Sequence, residues 1–194
     1  MSLLRYVSHA NVDIDARVPV PEWHLSELGR RRTQQMFEQP WIASVARIVS
    51  SAETKALDTA SMLAEHLGLA VEVRPTTGEI DRSSTGYVTH DRHEQLANEL
   101  FAFPDRSADG WERAVDAQAR IVDALSDLVD GVVNTVVVGH GGVGTLWYCR
   151  LTDQPIDRRH DQPGQGHYFT VDTTTRTVLH PWRAIDDFGR PPTH

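Results

Sequence analysis

The sequence is poor in cysteine, lysine and long apolar runs. Its single cysteine, Cys149, excludes an intramolecular disulfide and a zinc site built from several thiolates. No apolar stretch reaches the length of a membrane span, and the N-terminal residues turn polar too early for a secretory signal. We therefore expect a cytoplasmic protein with no membrane partner. Lysine occurs once, as Lys55, against eighteen arginines.

The charge balance excludes a further class of protein. A formal net charge of -8 at pH 7 disfavours a protein that wraps nucleic acid or coats an anionic membrane. The chain of 194 residues is long enough for one well-buried core, and it contains no internal repeat, low-complexity segment or linker. We expect residues 1–194 to form a single domain. The oligomeric state is left open.

Two apolar, β-prone runs each end in a histidine. The first run, 3–8, ends at His9, and the second, 135–139, ends at His140. Open α/β folds bind their ligands at the carboxyl ends of the strands, so we expect the two histidines to meet at one edge of the sheet. The glycines that follow His140 indicate close approach of a ligand to the backbone there.

The remaining pattern alternates strands and helices. Serine is predicted to cap three of the helices, at Ser26, Ser51 and Ser107, and Gly68 is predicted to end one. Alternating elements imply crossover connections, so the expected fold class is α/β, a three-layer α/β/α sandwich around a mostly parallel mixed sheet. The predicted strands are 3–8, 47–51, 71–73, 135–139 and a hairpin within 167–180; the predicted helices are 28–37, 53–66, 90–103, 111–129 and 144–151.

Four sequence blocks, in order between residues 3 and 151, resemble the histidine phosphatase superfamily, the phosphoglycerate-mutase-like group. They are the strand that ends at His9, the helix start Leu25–Gly29, Ser50-Ser51 with Thr59-Ala60, and Gly139–Gly142. The resemblance implies a phosphoglycerate-mutase-like sandwich, a phosphohistidine intermediate, and no required metal or other cofactor.

The resemblance also implies roles for three residues. His9 is the residue that becomes phosphorylated, and His140 is a second pocket histidine that donates to the phosphoryl oxygens. Glu79 lies where the family has its proton donor, with Asp81 as an alternative two residues away. A carboxylate beside a dianion and partly desolvated is expected to have a raised pKa.

The sequence departs from the family pattern at two positions. Ser8 stands where the family motif has an arginine before the histidine, and Lys55 stands where a second pocket arginine is expected. Lysine keeps the charge without the bidentate fork, and serine keeps one donor without the charge. We expect Ser8, Lys55 and Arg82 to bind substrate, with Arg82 substituting for a missing guanidinium. The pair Arg158-Arg159 is an alternative source of that cation.

The leading hypothesis is a metal-independent phosphatase that acts on a small phosphorylated metabolite, and mutase activity is a weaker variant. The alternative from another class is a catalytically weak or inactive member that binds a phosphorylated or anionic ligand. A third hypothesis is a metal hydrolase that uses histidines such as His90 and His93, which have i, i+3 spacing. Chelation separates this last hypothesis from the others.

Overall fold

The described part of the chain forms a six-stranded mixed sheet with helices on both faces. The computed structural model describes residues 2–129 and 131–188. The strand order is β3-β2-β4-β1-β5-β6. The first four strands in this order are parallel to one another, β5 is antiparallel to β1, and β6 is antiparallel to β5. The strands are β1 (Leu3–Ser8), β2 (Arg47–Ser50), β3 (Val71–Val73), β4 (Thr135–Gly139), β5 (His167–Asp172) and β6 (Thr177–Ala184).

Among the described residues, five α-helices connect and cover these strands. The helices are α1 (Glu27–Met36), α2 (Thr54–Leu67), α3 (His90–Ala102), α4 (Ala114–Val129) and α5 (Gly141–Leu151), with short 3-10 turns at Val20–Glu22, Ile42–Ser44, Pro75–Thr77 and Arg158–His160. The expected three-layer α/β/α sandwich is confirmed. The antiparallel edge at the C-terminal hairpin is confirmed as well.

Along the central strands, successive side chains point to opposite faces of the sheet, so each face has its own group of core residues. In β4, Val137 packs with the helices α3, α4 and α5, whereas Val136 and Val138 pack on the other face with α1 and α2. All three valines are fully buried. Because both faces are covered, the strand reads as a continuous apolar run, and this is why its sequence shows no polar alternation.

The strand register places the predicted histidines side by side. Ser8 pairs with Gly139 in the parallel β1–β4 ladder, and Ser50 pairs with Val138 in the β2–β4 ladder. His9, His140 and Ser51 each follow directly after one of these strands. Their side chains are therefore delivered to one edge of the sheet, at the carboxyl ends of the parallel strands.

A buried tyrosine holds the peptide of His140. The Tyr6 hydroxyl donates to the His140 carbonyl oxygen and accepts from the His140 amide, both at 3.0 Å. A Cβ at Gly139 would overlap this hydroxyl, so the absence of a side chain at Gly139 permits the contact. The ring of Tyr6 also packs against Trp147 and Phe169, at centroid distances of 5.5 and 5.4 Å.

Two of the predicted helix caps are correct and two are wrong. Ser26 accepts a hydrogen bond from the amide of Gly29, and Gly68 ends α2 with φ of 66°. Ser51 does not cap α2, because its side chain turns toward His140 instead. Ser107 lies seven residues before α4, and its hydroxyl donates to the carbonyl oxygen of Trp111, which itself precedes the helix.

Within residues 2–129 and 131–188, no helix combines the length and the apolar character needed to cross a bilayer.

Replacing Tyr6 by phenylalanine tests the contribution of its hydroxyl to the fold. The Tyr6→Phe variant keeps the aromatic packing but leaves the buried His140 amide without its acceptor. We expect the free energy of unfolding to fall by about 1–3 kcal/mol, the cost of a buried unsatisfied donor. Urea denaturation followed by circular dichroism measures it. Tyr168→Phe is the matched control, because the Tyr168 hydroxyl bonds to no described residue; an equal loss in both variants would contradict the prediction.

Candidate active site

The structure brings His9 and His140 together. Their ring centroids are 5.3 Å apart with an interplanar angle of 66°. Both residues are buried. The two imidazoles, remote in the sequence, thus lie close together at the carboxyl ends of the parallel strands, as the strand pattern predicts.

The His9 ring is held in one tautomer. Its Nδ1 atom lies 2.9 Å from the carbonyl oxygen of Ala10, which can act as an acceptor and not as a donor. The neutral ring therefore carries its proton on Nδ1 and its lone pair on Nε2. Burial, with His140 and Lys55 nearby, lowers the pKa of His9 to about 3. His9 is neutral at physiological pH, with a lone pair available for attack.

His140 is tied to the end of β2. Its Nε2 atom lies 2.8 Å from the Ser51 hydroxyl and 3.4 Å from Oε1 of Glu53. Burial lowers the pKa of His140, although Glu53 and Glu79 act in the opposite direction. The Nδ1 atom is buried and has no hydrogen-bond partner among the described residues. His140 thus keeps one ring nitrogen uncommitted.

Lys55 is in the site, but its charge is paired. Its ammonium donates to Oε2 of Glu53 at 2.5 Å and to the Val20 carbonyl oxygen at 2.9 Å. Burial alone would raise the pKa of Glu53, but His140 and Lys55 outweigh burial and lower that pKa to about 2. The sequence analysis missed Glu53. Its position between Ser51 and Lys55, just before α2, was the available signal.

Glu79 lies at the N-terminus of α5. Its carboxylate accepts hydrogen bonds from the amides of Gly142 at 3.0 Å, Val143 at 2.9 Å and Ile80 at 2.9 Å. Burial by itself raises the pKa of Glu79, but the neighbouring His140 and Arg82 outweigh burial and lower it. The protein's own groups therefore lower this pKa, because three amides and two basic side chains favour the carboxylate, and the raised pKa expected beside a dianion stays a prediction.

An arginine of α4 fixes the loop that carries Glu79. The Arg120 guanidinium donates to the carbonyl oxygens of Thr76 and Gly78 at 2.9 Å and of Glu79 at 3.1 Å. It also pairs with Glu112 at 2.7 Å. The sequence analysis missed this positioning residue, since nothing local connects positions 79 and 120.

Arg82 is the candidate substitute cation that the structure favours. Its guanidinium lies over the Trp111 ring, 5.4 Å from the centroid, and forms no hydrogen bond with a described residue. Arg158 lines the same cavity but donates to Glu94, at 2.9 Å, and to Asp161, at 3.2 Å, which occupy its charge. Of these two arginines, Arg82 is the one whose guanidinium is not hydrogen-bonded to a described residue and could accept an anion as its partner.

Ser8 does not reach the cavity wall. It is fully buried, and its hydroxyl bonds to Oε1 of Gln162 at 2.5 Å and to the backbone of His167. Gln162, which the sequence analysis did not select, lines the cavity in its place. Any contact of Ser8 with a ligand is therefore made through Gln162.

The cavity has a polar end and an apolar end, and its volume is about 610 Å³. His9, Lys55, Glu79 and Arg82 line the polar end. Aliphatic and aromatic side chains form much of the remaining wall: Val12, Ile14, Val20, Trp23, Ile80, Tyr87, Val88, Leu100, Phe101 and Trp111.

Two further histidines lie on the cavity wall. His93 packs on Trp111, at a centroid distance of 5.5 Å, and its neighbour His90 also lines the cavity. Among the side chains that the structure describes, no group of three or more histidine, cysteine or acidic residues is arranged to hold a metal ion.

Sequence comparison with protein families gives a match that covers most of the chain. The profile of the histidine phosphatase superfamily (branch 1) matches residues 9–180. The chain belongs to this superfamily. No curated protein sequence matches it.

Solved structures agree with membership of the superfamily. A mycobacterial glucosyl-3-phosphoglycerate phosphatase in complex with inorganic phosphate has a TM-score of 0.75 at 22% identity, over 96% of this chain and 100% of that one. A phosphoserine phosphatase from Entamoeba histolytica in complex with 3-phosphoglyceric acid has a TM-score of 0.76 at 16% identity, over 95% and 98%. A putative alpha-ribazole-5'-P phosphatase from Escherichia coli gives 0.76 at 18%, over 98% and 100%. These identities show a shared fold.

Removing the Arg82 guanidinium tests whether it binds anions. We expect Arg82→Gln to weaken binding of inorganic phosphate by about 10- to 100-fold, since a hydrogen bond to a charged group contributes roughly 1.5–3 kcal/mol. Isothermal titration calorimetry measures the dissociation constant. Arg106→Gln is the matched control, because Arg106 lies over Phe103, outside the cavity lining. Equal affinities in both variants would rule out a role for Arg82.

Proposed function

We propose that the protein is a phosphatase that hydrolyses a phosphomonoester through a phosphohistidine intermediate on His9. The observation that carries the proposal is the pairing of two buried imidazoles, one of which has its Nδ1 tied to a carbonyl oxygen and its Nε2 free. Neutral imidazole needs no deprotonation before it attacks phosphorus. Membership of the histidine phosphatase superfamily and the phosphatase relatives in the fold comparison support this reaction.

In the first step the Nε2 lone pair of His9 forms a bond to phosphorus, and the bond from phosphorus to the alcohol oxygen breaks. Glu79 gives its proton to that oxygen, so the alcohol leaves neutral. Glu79 must therefore be protonated when substrate is bound. The negative charge of the phosphoryl group beside two carboxylates, Glu79 and Glu53, supplies the upward shift of pKa that the protein alone does not.

In the second step a water molecule attacks the phosphohistidine. The Glu79 carboxylate takes a proton from that water, and the bond between phosphorus and Nε2 breaks, which returns the lone pair to His9. Inorganic phosphate leaves. Proton and electron pair both return to their starting positions, so the cycle needs no cofactor.

His140, Arg82 and Lys55 are the groups that stabilise the transferring phosphoryl oxygens in this proposal. Because Lys55 is bonded to Glu53, its net electrostatic contribution is smaller than that of an unpaired cation. An arginine that acts on a phosphoryl transition state can accelerate transfer by about 10³–10⁵. With Ser8 and Lys55 at the two motif positions, we expect slower turnover than in relatives with two arginines.

The same ion pair favours a second candidate function. A site in which Lys55 is neutralised by Glu53 fits a member that binds a phosphorylated ligand and turns it over slowly or not at all. The neutral, oriented His9 favours catalysis instead, because a binding module has no need of a free Nε2 lone pair.

The apolar part of the cavity supports a substrate with an apolar alcohol portion. Trp23 and Tyr87 pack edge to face at 5.9 Å on the wall, and Trp111 lies beside Arg82. Aromatic and aliphatic walls of this kind are favourable for apolar surface on a ligand, and aromatic side chains can stack on its flat rings. We infer a small phosphomonoester whose alcohol is aromatic or aliphatic.

Phosphorylation of His9 tests the proposal directly. We expect the wild-type protein to hydrolyse 1-naphthyl phosphate and to form an acid-labile, base-stable phosphohistidine, detected by mass spectrometry after rapid quenching. His9→Ala should lose both, with kcat/KM reduced by roughly 10³-fold or more, because the residual rate lacks the nucleophile. His24→Ala is the control, since His24 is exposed and contacts Asp58 outside the cavity.

Two outcomes of this assay oppose the proposal. Undiminished turnover in His9→Ala would remove the phosphohistidine route. No turnover of any phosphomonoester by the wild type, with measurable phosphate binding, would favour the binding module.

Glycerol phosphate serves as the hydrophilic comparison substrate, and we expect its kcat/KM to be lower than that of naphthyl phosphate.

The pH dependence of kcat/KM follows from the two titrating groups. His9 acts as the neutral base, and its lowered pKa of about 3 keeps it neutral throughout the acid range. Glu79 acts as the protonated acid, so activity is lost as pH rises. We expect kcat/KM to increase as pH falls from 8 to 5, with no decline until about pH 4, one unit above the His9 pKa.

Initial rates on naphthyl phosphate across pH 4–9 measure this profile. Circular dichroism at each pH is the control for unfolding. A decline below a midpoint near pH 6.5, the ordinary value for an exposed histidine, would contradict the burial argument.

A further inference from the structure

We propose that the side-chain amide of Gln162, held in place by Ser8, is a further anion-binding group of this site and donates a hydrogen bond to an oxygen of the bound phosphoryl group. The inference rests on the proposed function for the identity of the ligand. It assigns Gln162 as a substrate-binding residue and Ser8 as the residue that positions it.

The hydrogen bonds of Ser8 orient the amide. The amide of His167 donates to the Ser8 hydroxyl oxygen at 3.1 Å, so the hydroxyl hydrogen is free to be donated. Its nearer acceptor is Oε1 of Gln162 at 2.5 Å, and the His167 carbonyl oxygen is at 3.2 Å. With Oε1 fixed on Ser8, the NH₂ group of Gln162 must face away from β1.

The NH₂ group of Gln162 lies against the start of α5. A Cβ placed on Gly141 would overlap Nε2 of Gln162, so the amide nitrogen packs against the residue that directly follows His140. Gln162 and His9 line the same cavity. Nε2 donates no hydrogen bond to a described residue. An oriented donor without an acceptor, in the same cavity as the nucleophile, is suited to a ligand oxygen.

The loop that carries Gln162 is fixed at both ends. Oδ1 of Asp161 accepts a hydrogen bond from the backbone amide of Gln162 at 3.0 Å and another from the Thr145 hydroxyl at 2.9 Å. The second bond anchors the loop to α5. The Gly166 amide donates to the His9 carbonyl oxygen at 2.9 Å, which anchors the loop to the strand end. Donors held in place before the ligand arrives bind without a cost in ordering.

The charges at the polar end explain why a neutral donor has a role here. Two cations, Lys55 and Arg82, stand against two carboxylates, Glu53 and Glu79, and both imidazoles have lowered pKa values. These full charges cancel, so hydrogen-bond dipoles have to supply part of the attraction for an anion. The Gln162 amide adds two N–H donors without another charge.

Isosteric replacement of Gln162 tests the inference. Gln162→Met keeps the volume and removes both donors, and Gln162→Glu places a carboxylate oxygen where Nε2 lies. Isothermal titration calorimetry with inorganic phosphate is the probe. We expect a dissociation constant about 10- to 100-fold higher for Gln162→Met and a still higher one for Gln162→Glu. Gln154→Met, an exposed change outside the cavity, is the matched control and should bind like wild type.

A double-mutant cycle tests the positioning role of Ser8. Ser8→Ala should weaken phosphate binding in the wild-type background and have no further effect in the Gln162→Met background, since the amide it orients is gone. Thermal denaturation of all variants reports on folding. Equal effects of Ser8→Ala in both backgrounds would show a purely structural role and would overturn this part of the proposal.

Other outcomes separate this inference from the proposed function. Wild-type affinity for phosphate in a folded Gln162→Met protein overturns the inference, and so does a wild-type protein that does not bind phosphate. If the wild type binds phosphate but turns over no phosphomonoester, the proposed function fails and the titrations still decide the role of Gln162. If Gln162→Met does not fold, Gln162→Glu, which retains the bond to Ser8, gives the decisive affinity.

Discussion

The pairing of Ser8 with Gly139 in the parallel β1–β4 ladder is the constraint on which the site depends. It sets the two strand ends level, so that His9 and His140 leave the sheet at the same height and face each other. A slip of one residue would turn every side chain of the strand to the opposite face of the sheet. The Tyr6 hydroxyl reinforces this register from inside the core, because it bonds both polar groups of the His140 peptide.

Burial of this edge determines the protonation states on which the chemistry relies. Taking an imidazole out of water disfavours its charged form, and this effect of burial outweighs even Glu53, which lies 3.4 Å from His140. The two carboxylates, by contrast, are held in their charged form, because Glu53 is bonded to Lys55 and Glu79 accepts hydrogen bonds from three backbone amides. The protein thus holds neutral bases and ionised acids in contact, an arrangement typical of catalytic centres and of structural ion pairs alike.

The sequence was sufficient to predict the sheet, the strand ends and the two histidines, because these depend on long apolar runs and on a general rule for parallel strands. Prediction from the sequence failed where contacts between residues that are distant in the chain determine the position of a side chain. Ser51 has a typical capping position, yet its hydroxyl bonds to His140, a contact 89 residues away in the chain. The hydrogen bonds that Glu79 accepts from α5 amides are invisible in a local pattern, so the groups that lower its pKa could not be predicted. Gln162 carried no signal, since its position depends on the buried hydroxyl of Ser8 and on a loop anchored through Asp161.

The cancelling charges at the polar end also link substrate binding to proton uptake in the proposed reaction. A phosphoryl dianion that enters beside Glu53 and Glu79 meets two carboxylates and two cations, so its added negative charge favours the uptake of a proton by the complex. Glu79 is the group that the reaction needs protonated, and His140 and Lys55 lower the pKa of Glu53 to about 2. The proton therefore goes to Glu79. Binding of the anion is therefore coupled to protonation of Glu79. The Glu79 carboxylate accepts from the first amides of α5 in the free protein and can serve as the proton donor once the substrate is present.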